Sequence, residues 1–156
     1  MKKQKGFSLI ELLIVVAIIL IIAAIAIPNL LKSRMAANEA SAVGSIRTLN
    51  TAQITFYNQC PAIGFAGTVA LLGGTIGDCT AAGIIDNVLS TGTKSGYTFT
   101  MATPGTSGGA AGTTYDSGAN PVTPGVTGQR HFFSDQSGVI RYNVSAVAKQ
   151  TDSALQ

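Results

Sequence analysis

An apolar run from Phe7 to Ile27, interrupted by a single charge at Glu11, constrains this chain more than any other feature. As a helix, its 21 residues would span about 32 Å, which is enough to cross the hydrocarbon core of a bilayer. A carboxylate inside hydrocarbon costs about 3 kcal/mol on insertion scales. Glu11 is therefore either an interfacial residue without a partner or a residue that meets a positive charge.

Three lysines, Lys2, Lys3 and Lys5, precede the apolar run and supply the positive excess of the whole chain. The formal net charge is +3, so the chain without them is near neutral. Basic residues before a membrane span favour a cytoplasmic N-terminus and export of the chain beyond the span. The basic leader therefore indicates membrane targeting, and it gives no support to nucleic acid as a direct ligand.

The stretch from Lys2 to Pro28 resembles the N-terminal signal of the type IV pilin superfamily, which includes pilins and the pseudopilins of type II secretion. The matching features are the basic leader, Gly6 before the aromatic Phe7, Glu11 four residues beyond Phe7, and an apolar run that ends at Pro28. The resemblance implies that a membrane-embedded prepilin peptidase cuts after Gly6 and methylates the new amino terminus of Phe7. Glycine suits such a cut because no side chain obstructs the backbone.

The resemblance also implies a partner for Glu11, namely the free amine of Phe7 in a neighbouring subunit. Two unit charges about 4 Å apart attract by about 4 kcal/mol at an effective dielectric constant of about 20, before desolvation is subtracted. Desolvation can cancel most of that attraction. We therefore expect the pair to set the axial register of assembly rather than to supply net adhesion.

Residues 29–57 contain good helix formers with an apolar stripe, which predicts an amphipathic helix packed on a globular head. Glu39 and Arg47 fall off that stripe, and Pro28 predicts a helix kink. The predicted stripe consists of Met35, Ala36, Ala42, Val43, Ile46, Leu49, Phe56 and Tyr57. The predicted organisation is a leader peptide at 1–6, a transmembrane and assembly helix at 7–28, and the amphipathic helix plus globular head at 29–156.

The head is rich in glycine, threonine and alanine and has frequent turn signals. Strict alternation predicts a strand over 97–101, and segments 130–134 and 139–144 flank a glycine turn typical of a hairpin. We expect a long exposed loop over 103–128 and a short helix over 83–90. The helix would bury Ile84, Ile85, Val88 and Leu89. The fold class is α+β, with a long N-terminal α-helix spine on a small antiparallel β-sheet head, as the resemblance also implies.

Cys60 and Cys79 are the two cysteines, and their spacing fits neither a zinc site nor a Cys-x-x-Cys redox pair. In an oxidising compartment they would most simply bond to each other. Closing a loop of about 20 residues stabilises a fold by about 3 kcal/mol. Two free buried thiols are the alternative, favoured if the head is cytosolic.

Motifs for catalysis, phosphate binding or metal binding do not stand out, so we expect no enzyme, cofactor or metal. His131 is the one histidine and lies in a predicted strand, where a surface or packing role is the ordinary one. The aspartates are scattered near turns and form no compact oxygen-ligand loop.

These observations and the resemblance together predict a structural subunit of a type IV pilus. Its implied partners are other copies of itself, a prepilin peptidase, an inner-membrane assembly platform and, before assembly, the lipid bilayer. It would sit in the bacterial inner membrane with a cytoplasmic N-terminus and then join a cell-surface filament used in adhesion, twitching motility or DNA uptake. The alternatives are a pseudopilin of type II secretion and a membrane-anchored periplasmic binding or enzymatic domain.

Overall fold

The computed structural model describes residues 7–74, 78–103 and 112–155. The leader at 1–6, including the predicted cleavage residue Gly6, lies outside these ranges. The chain forms two compact units, residues 1–34 and residues 35–156, which we treat separately. We call the second unit the head.

In the first unit the described residues form the beginning of α1, a helix that spans Leu9–Gln59. Pro28 lies inside α1, and the helical assignment is continuous across it. Proline removes one backbone hydrogen bond and crowds the preceding turn. The kink at Pro28 therefore stays a prediction.

The head contains the rest of α1, two short helices and one antiparallel sheet. The short helices are α2 (Val69–Leu72) and α3 (Asn87–Ser90). The strands are β1 (Thr93–Lys94), β2 (Tyr97–Ala102), β3 (Asp116–Pro121), β4 (His131–Asp135), β5 (Arg141–Asn143) and β6 (Ser153–Ala154). They pair in chain order, each antiparallel to the next.

The core of the head lies between the second half of α1 and the sheet. Ile46, Leu49 and Phe56 of α1 are fully buried with Tyr97 and Phe132 of the sheet. This arrangement confirms the predicted α+β fold, a long N-terminal helix packed on a small antiparallel sheet. The alternation over 97–101 is also confirmed, because β2 buries Tyr97 and Phe99, while its exposed threonines lie between them.

The loop predicted over 103–128 is wrong for residues 116–121, because β3 runs there between two other strands. Thr98 of β2 pairs with Asn120, and Gly118 pairs with Phe133 of β4. The composition of β3 is typical of a turn, but the place of β3 in the sheet accepts small residues. Ala119, for example, is fully buried. A side chain at Gly118 would press on the Thr100 hydroxyl. Tertiary packing has overridden local propensity.

The predicted hairpin is confirmed, since β4 and β5 pair antiparallel and Gly138 in the turn adopts φ 73°. The short helix predicted over 83–90 begins later, at Asn87, because the Asp86 side chain accepts the Leu89 N–H and caps it there. Leu89 is buried as expected, but Val88 is 58% exposed, so its predicted burial is wrong. In a helix of one turn, little more than one side chain can face the core.

Candidate assembly surface

The first unit presents an apolar surface that its own chain does not cover. Every large apolar side chain of α1 from Leu9 to Leu31 is at least 45% exposed, and Phe7, which precedes the helix, is 87% exposed. We call residues 7–31 the apolar rod. Helix α1 is long and apolar enough, by length and composition, to cross a membrane. An exposed apolar surface of this extent marks contact with lipid or with other proteins.

Glu11 lies at the N-terminal end of the apolar rod and helps to begin the helix. The Ser8 N–H donates to Oε2 of Glu11 over 2.9 Å, and the Leu12 N–H donates to the Ser8 carbonyl over 3.3 Å. Ser-x-x-Glu is the sequence pattern of a capping box, in which the glutamate satisfies a free N–H. The helix dipole also favours a negative charge there. The sequence analysis missed this second role, although the pattern is visible at Ser8 and Glu11.

The predicted disulfide is present, since Cys60 and Cys79 are bonded with their Cα atoms 5.8 Å apart. The alternative of two free thiols is therefore wrong. The Cys60 N–H donates to the Phe56 carbonyl over 2.8 Å, so the bridge is attached to the last turn of α1. The disulfide fastens the segment beyond α1 back to the helix end.

The side chain of Glu39 anchors α1 to the start of β4. Its Oε1 accepts the backbone N–H groups of Gln129 and Arg130 over 2.8 and 3.1 Å, and its Oε2 accepts Nε of Arg130 over 2.8 Å. Burial by itself raises the pKa of Glu39. The hydrogen bonds from Gln129 and Arg130 and the Arg130 charge outweigh that effect and hold the pKa below its ordinary value of 4.5.

Two aromatic rings lie beside the Arg130 guanidinium. Its guanidinium carbon lies 5.5 Å from the ring centre of Phe132 and 5.6 Å from that of Tyr142. The Tyr97 hydroxyl donates to the Arg130 carbonyl over 2.9 Å, and burial raises the pKa of that hydroxyl, as does the nearby Glu39 charge. The Glu39–Arg130 ion pair is therefore surrounded by further contacts of Arg130.

Gln53, fully buried, forms a second polar tie between α1 and the chain beyond it. Its amide donates to the Ala66 carbonyl over 2.7 Å and accepts the Ala66 N–H over 2.8 Å. The sequence analysis placed Glu39 off the buried stripe and overlooked Gln53. Their spacing was the available signal, because positions 39, 42, 46, 49, 53 and 56 follow one face of a helix.

The histidine does not belong to a metal or catalytic cluster. His131 Nδ1 lies 2.8 Å from Oδ1 of Asn120, and burial lowers the pKa of its imidazole. Across residues 7–74, 78–103 and 112–155, potential metal ligands do not gather in groups of three or more. The chemistry that the described residues bring together is helix capping, one disulfide and buried polar ties.

Comparison with known proteins points to the apolar rod and its leader. Residues 1–27 match the model of the prokaryotic N-terminal methylation motif. The chain is 47% identical over 57 residues to the type IV major pilin protein PilA of Myxococcus xanthus, covering 36% of this chain and 26% of that protein. It is 64% identical over 39 residues to the type IV wide pilus major component PilA4 of Thermus thermophilus, covering 25% and 30%.

Over part of its length, the chain is therefore similar to proteins of type IV pili. A further relative, a fimbrial protein of Pseudomonas aeruginosa, is 54% identical over 52 residues, covering 33% of this chain and 34% of that protein. The chain thus spans between a quarter and about a third of these relatives' lengths. No solved structure matches it.

The match to the methylation motif, at residues 1–27, overlaps most of the apolar rod. The matched residues include Gly6, Phe7 and Glu11, which the resemblance marks for cleavage, methylation and assembly. In the described structure Phe7 and Glu11 are both exposed at the start of α1.

Proposed function

We propose that this chain is a structural subunit of a type IV pilus and that it polymerises through the apolar rod. The observation that carries the proposal is the exposure of every large apolar side chain from Leu9 to Leu31. A helix that is apolar on all sides is stable inside a bilayer or among other apolar helices, and not in water.

Lateral packing of these rods would be strongly favoured over exposure to water. Full burial of one Leu or Ile side chain is worth about 2 kcal/mol, so five buried side chains per subunit contribute about 10 kcal/mol. The relatives are named as major pilins and a fimbrial protein, and neither name favours the pseudopilin alternative.

Processing would create the charge that Glu11 needs. A prepilin peptidase would cut after Gly6, methylate the amine of Phe7 and leave it positively charged. Glu11 already binds the Ser8 N–H of its own chain through Oε2. Its other oxygen would receive the amine of a neighbouring Phe7 and fix the axial step between subunits.

The proposed route begins in the inner membrane, with the N-terminus in the cytoplasm and the head exported. Lys2, Lys3 and Lys5 support this orientation, and the Cys60–Cys79 disulfide fits an oxidising compartment. An inner-membrane platform would then move the subunit into a homopolymer on the cell surface. The proposed protein is not an enzyme, and adhesion, motility or DNA uptake would be properties of the filament.

Two measurements test this proposal. Mass spectrometry of the mature protein should find a methylated Phe7 as its first residue, and filaments sheared from cells should contain the chain as their main component. Glu11→Gln keeps an acceptor for the Ser8 N–H but removes the charge, whereas Glu11→Ala removes both. Both variants should stay in the membrane and yield few filaments. An intact Met1 in the mature protein, or normal filaments from Glu11→Gln, would contradict the proposal.

A further inference from the structure

Several charged groups of the described head are held by neighbouring groups of the same head. Among the described residues, Lys94 pairs with Asp86 over 3.1 Å and Arg130 pairs with Glu39 over 2.8 Å. Arg141 donates to the Asp152 carbonyl and lies near Asp135, whose pKa its charge helps to lower. Arg47 on α1 and Asp78 beside the disulfide remain exposed and make no ion pair with the described residues.

Arg47 lies in a groove of about 340 Å³ on the outer side of α1. The groove is lined by Arg47, Thr48, Thr51, Ala52, Thr55 and Ile84. Its hydroxyl donors are already used, because Thr48, Thr51 and Thr55 each donate to the carbonyl four residues earlier. The guanidinium is therefore the group in this groove that can donate several hydrogen bonds to an incoming anion.

Asp78 is a rigidly presented carboxylate. Its Oδ1 accepts the Thr80 hydroxyl and the N–H groups of Thr80 and Ala81, over 2.6, 2.9 and 2.8 Å. The Thr80 hydroxyl, followed by these backbone bonds, lowers the pKa of Asp78, so the group is ionised at neutral pH. Oδ2 takes no part in the turn, and the neighbouring Cys79 is fixed by the disulfide. A preorganised carboxylate loses little conformational freedom when it binds.

We infer that the groove around Arg47 receives Asp78 of a second copy of this chain. The inference rests on the proposed filament and names the contact between its heads. Two different complementary patches on one chain form a heterologous contact, which repeats without closing when the subunits follow a helix. Charge complementarity favours Asp78 as the occupant, because the other acids of the described head without an ion pair are less exposed: Asp135 is buried, and Asp116 and Asp152 are half-buried.

Lys149 supplies a matched control. It is an exposed cation of the same head and, within the described part of the chain, it also makes no ion pair. Unlike Arg47, it lines none of the described grooves. A charge change at Lys149 alters the net charge of the subunit equally but leaves the inferred contact intact.

The test is a double-mutant cycle of charge substitutions in the full-length protein. The quantity measured is the fraction of subunit recovered in sheared filaments. Asp78→Asn keeps the Oδ1 acceptor of the turn and removes the charge, and it should lower the yield about threefold. Arg47→Glu places like charges together and should lower the yield about tenfold. In the Arg47→Glu background, Asp78→Asn should raise the yield, because it removes the repulsion.

The direction of the Asp78→Asn effect in the Arg47→Glu background decides between direct contact of the two residues and a general effect of charge on filament yield. In the Lys149→Glu background, Asp78→Asn should lower the yield as it does in the wild type. Equal effects of Asp78→Asn in the Arg47→Glu and Lys149→Glu backgrounds would overturn the inference, and so would a wild-type yield from both single variants. Membrane-held subunit and the Cys60–Cys79 bond, measured in each strain, show that the variants fold. If the wild-type chain itself forms no filaments, the proposed function fails first.

Discussion

Removal of the Glu39 side chain tests whether the buried ion pair holds α1 to the sheet. Glu39→Ala deletes the acceptor of the Gln129 and Arg130 N–H groups and the partner of the Arg130 guanidinium. Glu39→Gln keeps an amide oxygen in place of Oε1 but removes the charge. Arg47→Ala, an exposed charge change on the same helix, is the control.

The expected loss comes from the groups left without partners. Each unpaired backbone N–H costs about 1 kcal/mol in a partly buried site. The guanidinium adds about 1 kcal/mol, a discounted value, since 37% of the Arg130 side chain is exposed and water can solvate it. The total for Glu39→Ala is about 3 kcal/mol, against about 1 kcal/mol for Glu39→Gln. For a head of about 120 residues, these values correspond to falls in Tm of about 12 °C and 4 °C.

Thermal unfolding of the full chain in detergent micelles measures this loss, with near-ultraviolet circular dichroism reporting on the buried tyrosines. The pH dependence supplies a second check. The folded pKa of Glu39 lies below the ordinary value of 4.5, so its stabilisation is complete above about pH 4.5 and disappears as the pH falls through the folded value. The difference between wild type and Glu39→Gln should therefore shrink below pH 4.5.

The comparison of Glu39→Ala with the control Arg47→Ala defines the result that would refute this reasoning. Arg47→Ala should change the free energy of unfolding by less than about 0.5 kcal/mol. A Glu39→Ala protein as stable as Arg47→Ala would show that water satisfies the N–H groups of Gln129 and Arg130 without loss. A stability difference that stays constant from pH 7 to pH 3 would show that the carboxylate charge is not the stabilising feature.

Three further expectations concern the head. Replacing Cys60 and Cys79 together by Ser should reduce the free energy of unfolding by about 3 kcal/mol, and reduction of the wild type should reproduce that loss. A methyl group at Gly128 would overlap the Tyr97 ring, so Gly128→Ala should lower the free energy of unfolding by about 2 kcal/mol, as measured with denaturant. A loss of stability smaller than that caused by a substitution at an exposed position would refute the contact. Gly44 has open space around it within α1, so Gly44→Ala should instead stabilise the head by about 0.7 kcal/mol.

The elements that could be predicted are those in which local pattern and tertiary position agree. The alternation of Tyr97 and Phe99 with threonines matches a strand with one buried face, and β2 has that structure. The apolar rod is equally plain, because its length and its single charge, at Glu11, leave few alternatives to a membrane-length helix. The leader and Glu11 indicated the resemblance to type IV pilins for the same reason, since a long specific pattern at one terminus does not depend on the head.

The parts that could not be predicted depend on contacts distant in sequence. Strand β3 contains glycine, asparagine and proline, and it is a strand because β2 and β4 pair with both of its edges. Its Ser117 hydroxyl donates to the Ser134 carbonyl over 3.2 Å and to the Asn50 side chain of α1 over 3.4 Å. Such polar links are invisible to hydrophobic periodicity, whereas the burial of Glu39 follows from its helical spacing to Ala42 and Ile46.

The uncovered apolar rod has a thermodynamic consequence for a filament built from it. Hydrocarbon tails are as apolar as leucine, so a subunit that leaves the bilayer for a bundle of rods exchanges one oily environment for another. The step is therefore nearly balanced, in contrast to the large penalty for release into water. A motor at the membrane would need only modest work per subunit to lengthen such a polymer, and comparably little to return its subunits to the lipid.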